Sequence, residues 1–387
     1  MSRSSSGKTT PRTTILTVLL IIFLIAAVAG WVRPPQTVEK TITQTVMQTT
    51  TVAAGEGVRT ITQTTTLTKT ETQKVTVTVT ATPQPPTPIK IRLASLAFPS
   101  YMLVLQKIIE EKRVDLKHGL DIEWVPQTTI AGFYSTILTG EVDGIPGGGP
   151  LTFQKMKVEQ GAPIKITNTL ATMTLSVVTI NPDVKSFEDL RGKKLAVDVG
   201  ATDFLILKTY ASKLGIDIEK EVTLVPTTYP IARGQLVAGD VDAAVLVEPH
   251  ISLAKRDNPN ARVILVFDEA WREITGQPFG IYLVTALRED YLAKNPEVPA
   301  RLIKVFQEVE DFLRRNPEEA DAILSAGMKI SPGIMYNAII FGRIDYRIYP
   351  AWRSDIRENL ETMFQFGVDT GFVSALPGPG FIYTPSG

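Results

Sequence analysis

The stretch that most restricts what this chain can fold into is Gly239-Asp240-Val241-Asp242-Ala243-Ala244-Val245-Leu246-Val247-Glu248-Pro249-His250. It reads as a helix stop, a buried strand and a loop. Gly239 suits the left-handed position that ends a helix. Ala243 to Val247 form a short apolar run of the kind found in strands covered on both faces. Pro249 breaks the run and leaves Glu248 and His250 at the carboxyl end of the strand. In open α/β sheets ligands bind at that end.

The same unit occurs about a hundred residues earlier, as Leu138-Thr139-Gly140-Glu141-Val142-Asp143-Gly144-Ile145 running into Pro146-Gly147-Gly148-Gly149-Pro150. Gly-acid-Val-Asp taken alone is common turn chemistry. Its recurrence in matched contexts points to two similar α/β lobes with a ligand held between their loop ends.

Composition narrows the chemistry. The 40 basic and 40 acidic residues cancel, so no global steering toward nucleic acid or anionic lipid is implied. With no cysteine there are no disulfides, thiolate metal sites, cysteine nucleophile or lipid-modified N-terminal Cys. The two histidines, His118 and His250, are too few for a multi-histidine metal site, and neither lies in a nucleophile motif. No metal, cofactor or catalytic residue is expected.

Ile15 to Val32 is an almost unbroken apolar run. As a helix it spans roughly 27 Å, close to the thickness of a hydrocarbon core. Arg3, Lys8 and Arg12 precede it, which puts residues 1–14 in the cytoplasm and the bulk outside. A cleaved signal peptide competes with this reading, because Ala26-Ala27-Val28-Ala29-Gly30 offers small residues near its end. The next segment favours a retained anchor. Residues 33–88 are dominated by threonine, lack the apolar groups for a core, and close with Pro83-Gln84-Pro85-Pro86-Thr87-Pro88, a stiff hinge. Such a stalk, about 150 Å if fully extended, makes sense when its start is fixed. Pairing of its Val/Ile/Thr alternation as β-structure is the alternative.

From Ile89 onward strands and amphipathic helices alternate, as in a mostly parallel sheet. Strands are expected at Ile89–Leu96, Leu120–Val125, Leu195–Val199, Glu221–Val225 and Arg262–Phe267. Two long apolar runs, Thr172–Ile180 and Phe279–Ala286, read as crossings between lobes. Beyond Glu289 the chain is helical. The expected organisation is 89–171 for the first part of lobe one, 172–284 for lobe two, and 285–387 for the completion of lobe one.

The order of these elements resembles the substrate-binding proteins of ABC importers. Asp189-Leu190-Arg191-Gly192-Lys193 stands before a strand, the strand-to-helix loops are Gly-rich, and Gly239–Ala244 runs into Glu248-Pro249-His250. The branch resembled is the nitrate/sulfonate/taurine, NMT1/THI5-like (SsuA-like) group. The resemblance implies an α/β, two-lobed periplasmic-binding-protein-like clamp of type II. Each lobe has a mixed, mostly parallel sheet flanked by helices, and two segments cross between lobes. It also implies a monomer that binds a small organic or oxyanion solute and serves permease and ATPase subunits. The missing lipid-anchor cysteine, replaced here by the apolar run and stalk, is similar to archaeal cell-surface forms.

Five loops should converge on the cleft. The residues expected to bind ligand are Ser95, Phe98, Ser100, Tyr101, Gly147, Gly148 and Gly149 in lobe one. Thr172 and Phe279 join them at the crossings. Lobe two adds Gly200, Ala201, Thr202, Asp203, Tyr229, Glu248 and His250. Helix amino ends among these loops suit an anion. Asp203 and Glu248 point the other way, toward an amine or a ring N–H donor. The glycines also serve as a tight turn, Asp203 also as a first-turn acid, and Glu248 also as a partner for His250 or for a base of lobe one. Function is expected to be solute binding outside the cytoplasm, without nucleic acid. A pyrimidine-precursor synthase-like enzyme on the same fold, or a structural cell-surface protein, are the alternatives.

Overall fold

The computed structural model describes residues 36–42, 50–52, 59–61, 71–77, 87–199 and 201–385. The expected membrane segment at 15–32 and the site residue Gly200 lie outside them. Among the described residues no helix is long and apolar enough to cross a membrane. The chain divides into two units, residues 1–85 and 86–387.

In the first unit, strands β1 (Gln36–Ile42), β2 (Thr50–Val52), β3 (Arg59–Ile61) and β4 (Glu71–Val77) form two antiparallel pairs, β1 with β4 and β2 with β3. Gln36 stands opposite Val77 and Ile42 opposite Glu71, so the chain doubles back. These segments therefore do not form the fully extended stalk that the threonine content suggests.

The second unit starts with β5 (Ile89–Leu96), α1 (Tyr101–Lys112), α2 (Val114–Lys117), β6 (Leu120–Gln127), α3 (Ile130–Thr139), β7 (Gly144–Gly148), α4 (Pro150–Gln160) and β8 (Ile164–Thr172). It continues with β9 (Ser176–Thr179), β10 (Lys194–Val197), α5 (Thr202–Lys213), α6 (Ile218–Glu221), β11 (Thr223–Pro226), α7 (Tyr229–Ala238), β12 (Ala243–Leu246), α8 (His250–Asp257), β13 (Arg262–Val266) and α9 (Phe267–Thr275). It returns through β14 (Ile281–Arg288), α10 (Glu289–Lys294), α11 (Val298–Arg315), α12 (Pro317–Met328), α13 (Ile334–Ile340) and α14 (Ser354–Asp369).

Two five-stranded mixed sheets result, one per lobe, in the orders β6-β5-β7-β14-β8 and β11-β10-β12-β9-β13. In each, the first three strands are parallel and the last two pairings antiparallel. The two copies of the sequence unit occupy equivalent places. Gly140 ends α3 at φ +78° and Gly239 ends α7 at φ +79°, a backbone region that L side chains rarely adopt. Asp143 accepts the backbone N–H of Arg92 at 2.8 Å, and Asp242 accepts that of Lys194, also at 2.8 Å. Each aspartate thus accepts a backbone N–H of the neighbouring strand, and the valine before it, Val142 or Val241, is buried. The repeated motif is structural: it starts the central strand of each lobe and delivers its other end to the cleft.

A run expected to be a loop is partly strand. Gly144–Gly148 lies in the sheet and is fully buried, although glycine and proline are poor strand formers. A Cβ on Gly147 would stand 2.2 Å from the Met102 methyl, and one on Gly148 would stand 2.5 Å from the Phe153 ring. The glycines are there because helices α1 and α4 press side chains onto the strand.

The crossings are shorter than the apolar runs imply. Thr172 ends β8 and Ser176 begins β9, so residues 173–175 cross, while Ile281–Arg288 of the second run belongs to the lobe-one sheet. The return crossing lies beside the first. Met173 N–H donates to Gly280 O (3.2 Å), Asp268 N–H to Met173 O (2.9 Å), and Gly280 N–H to the Asp268 carboxylate (2.7 Å). Met173, Leu175 and Trp271 are buried there within an apolar core that continues into both lobes. A second small core, with Leu236, Leu246 and Ile251, sits under α7 and α8. Two adjacent, hydrogen-bonded crossings give the lobes a hinge about which they can rotate.

Candidate functional site

The carboxyl ends of β5 and β7 in lobe one face those of β10 and β12 in lobe two. Tyr229, the first residue of α7, donates a hydrogen bond of 2.5 Å to the carboxylate of Asp203 in the first turn of α5. Tyr282 of β14 comes close enough to Tyr229 across the lobes for each phenol to shift the other's pKa. A phenol has one proton, and Tyr229 gives it to Asp203. Tyr101 packs edge-on against Tyr282, with ring centres 6.1 Å apart, and against Tyr346 at 5.5 Å. Tyr134 completes the group, near enough for the Asp203 charge to raise its pKa.

Burial governs the electrostatics. Asp203 is 8% exposed, and desolvation pushes its carboxyl up to about 6, against the stabilising Tyr229 bond and with the like charge of Asp198 adding to the rise. No cation contributes. Burial also raises the phenols of Tyr101, Tyr134, Tyr229 and Tyr282, which stay protonated at neutral pH.

Beside this cluster lies an ion pair that joins the lobes. The Arg343 guanidinium donates to Glu248 at 2.5 Å through Nε and to Ser252 Oγ at 2.9 Å through Nη2. Glu248 also accepts from Ser252 N–H (3.1 Å) and Oγ–H (2.9 Å), and is 1% exposed. Arg343 belongs to lobe one, since the segment after it hydrogen-bonds along β8. Desolvation raises Glu248, with Arg343 the largest opposing influence.

The remaining expected residues fall into three groups. Tyr101 gives its proton to Arg343 O (2.8 Å) and is also hydrogen-bonded to Thr174 Oγ1. Thr172 donates to Asp345 (2.7 Å), and Ser100 caps α1 by accepting from Leu103 N–H (3.2 Å). Glu248 pairs with the lobe-one base, not with His250. These side chains hold the protein to itself.

Gly147 and Gly148 are filled by Met102, Phe153 and Tyr134, so their closeness serves packing, while Gly149 N–H donates to Tyr134 Oη at 2.9 Å. Phe279 lies 5.4 Å under the Arg347 guanidinium at the hinge. His250 is buried, its Nδ1 has no hydrogen-bond partner, and desolvation lowers its pKa to about 4, so it is neutral at physiological pH.

A third group remains at the cleft: Phe98, Ala201, Thr202, Asp203 and Tyr229, with Ser95 buried at the strand end and its Oγ unpartnered. Tyr134, Tyr282, Thr174 and Arg343 join them without having been expected. Thr174 sits inside the first crossing, where a hydroxyl among apolar residues was the available signal. Arg343 had none, because it reaches the cleft from a segment that carries no motif.

An open recess of about 510 Å³ lies elsewhere, outside α9 and α14, lined in part by Glu358, Glu361 and Asp369. It contains none of the strand-end residues.

Known proteins share this fold. A protein of Brucella abortus whose name describes a binding protein is 26% identical over 224 residues, covering 58% of this chain and 67% of its own length. The periplasmic aliphatic sulphonate binding protein SsuA of Escherichia coli shares the fold, with a TM-score of 0.65 at 15% identity over 78% of this chain and 94% of that one. The desulfurization enzyme DSZB shares it too, with a TM-score of 0.55 at 15% identity over 76% and 96%. The family model described as NMT1/THI5 like matches residues 116–320, more than half of the chain. By two-lobed architecture, paired crossings and this match, the chain belongs to the NMT1/THI5-like family.

Proposed function

We propose that this protein is the solute-binding component of an ABC-type importer, holding a small molecule between its lobes and passing it to a membrane permease driven by an ATPase. One observation carries this reading. Tyr229 of lobe two and Tyr282 of lobe one meet over the strand ends, so side chains from both sides of one hinge close on the same space. Rotation about the crossings opens and shuts such a site, as a carrier of free solute requires. The name of the Brucella relative and the fold shared with SsuA support binding over chemistry. The apolar run at 15–32 fits a tether that keeps the clamp outside the cytoplasm and near its permease.

An enzyme is the second reading, favoured by the likeness to DSZB. Against it, the chain has no cysteine, and its only histidine in the cleft region, His250, is buried with an unpartnered Nδ1.

A thermal-shift panel on the full chain tests the proposal, using sulfonates, nitrate, amines, amidines and aromatic heterocycles. A solute at a hundred times its Kd should add about 2.7 kcal/mol to stability. That gain should disappear in Tyr229→Ala, and the recovered solute should be chemically unchanged. Conversion of the solute would favour the enzyme, and a gain unaffected by Tyr229→Ala would move the site away from the strand ends.

A further inference from the structure

We propose that the solute is an organic cation, an ammonium or amidinium carried on or beside a flat ring, held by Asp203 within the tyrosines of both lobes. This assignment rests on the solute-binding reading above and names its ligand class.

Asp203 is a carboxylate in the wrong place for an anion. It is more than nine-tenths buried, and the hydrogen bond the structure gives it comes from a neutral phenol, Tyr229. The groups facing it are Tyr229 from α7, Tyr282 from β14, Tyr134 from α3 and Asp198 from the loop before α5. Three are neutral and the fourth repels it. Among the arginines of the described residues, Arg343 pairs with Glu248, Arg347 with Asp345 and Arg233 with Asp257, and none of them acts on Asp203. A buried charge without a counter-ion is costly, and a cationic ligand would supply one.

The tyrosines favour the same class. Aromatic faces are negative and attract a cation within about 6 Å of the ring centre. Tyr229 has already committed its proton to Asp203, so it has none to offer an oxyanion. The amide end of α5, where an anion could sit, already carries Asp203 in its first turn.

Acidity gives a signature. With the carboxyl at about 6 before ligand arrives, a cation must bind the ionised form and loses affinity as that form disappears. Affinity should fall roughly tenfold between pH 8 and pH 5. The tyrosines stay protonated throughout this range. An anion would show the reverse, binding more tightly as the repelling charge is removed.

The test is calorimetric titration of the full chain with benzamidinium and with benzenesulfonate, matched in ring and opposite in charge. Benzamidinium should bind at pH 8, about tenfold more weakly at pH 5, and at least a hundredfold more weakly in the near-isosteric Asp203→Asn. Binding of benzenesulfonate that tightens at pH 5 or in Asp203→Asn would overturn the cation and leave the clamp standing. So would failure of both probes while a solute of the panel that carries no positive charge stabilises the chain. Failure of every solute would overturn both readings.

Discussion

Arg343→Ala is expected to destabilise the fold by about 3–5 kcal/mol, because it leaves Glu248 buried and unpaired. Glu248 is 1% exposed, and its remaining partner, Ser252, is neutral. Replacing both ions, as in Arg343→Met with Glu248→Gln, should recover most of that loss, since the desolvation penalty leaves with the charges. Urea midpoints of the single and double variants measure this. A loss below about 1 kcal/mol for Arg343→Ala would show the pair to be exposed and weak in solution. The pair also spans the lobes, so the alanine variant should hold them less tightly closed.

The opposite sign is expected for Asp203→Asn, a gain of about 2–3 kcal/mol at pH 8. The folded-state pKa of about 6 lies above the ordinary 3.8, so the native state holds this proton more tightly than the unfolded chain. Ionised Asp203 therefore destabilises the ligand-free protein above pH 6. Its contribution recovers as pH falls through 6 toward 4, and fully only below about pH 3, where both states are protonated. The difference between variant and wild type should accordingly shrink between pH 6 and pH 4 and vanish below about pH 3, while Asn keeps an oxygen that accepts from Tyr229. A constant difference at all pH values would mean that the asparagine acts through packing and that Asp203 is solvated. A residue that weakens the fold by itself and binds ligand when one arrives is common at functional sites.

The architecture was legible in the sequence because it rests on local signals. Gly140 and Gly239 stop helices, Asp143 and Asp242 start strands, and apolar runs of strand length come next, so both lobes and their order could be read. Where residues act against local propensity, local signals mislead. Gly144–Gly148 is a strand despite its composition, held by the packing of Met102 and Phe153. The two apolar runs belong mostly to sheets, because a buried strand and a crossing look alike without the partner strand.

The site was legible as a set of loops and not as a set of interactions. Asp203 and Tyr229 are brought together as expected of strand-end residues. Glu248, Thr172 and Tyr101 are tied to the C-terminal part of lobe one, through Arg343 and Asp345. Those contacts span 95, 173 and 242 residues of sequence respectively, and no spacing reveals them.

Closure of the lobes on a solute is the central claim, and the absence of cysteine allows it to be measured cleanly. Ile130 and Ile231 are 52% and 56% exposed, each in the first turn or so of a helix that begins at the strand-end side of its own lobe. Spin labels on Ile130→Cys and Ile231→Cys report the distance across the cleft by pulsed electron paramagnetic resonance. Without ligand the distribution should include a longer, open population, and a binding solute should collapse it to a single shorter distance. A distribution that stays the same with a solute shown by calorimetry to bind would contradict the clamp.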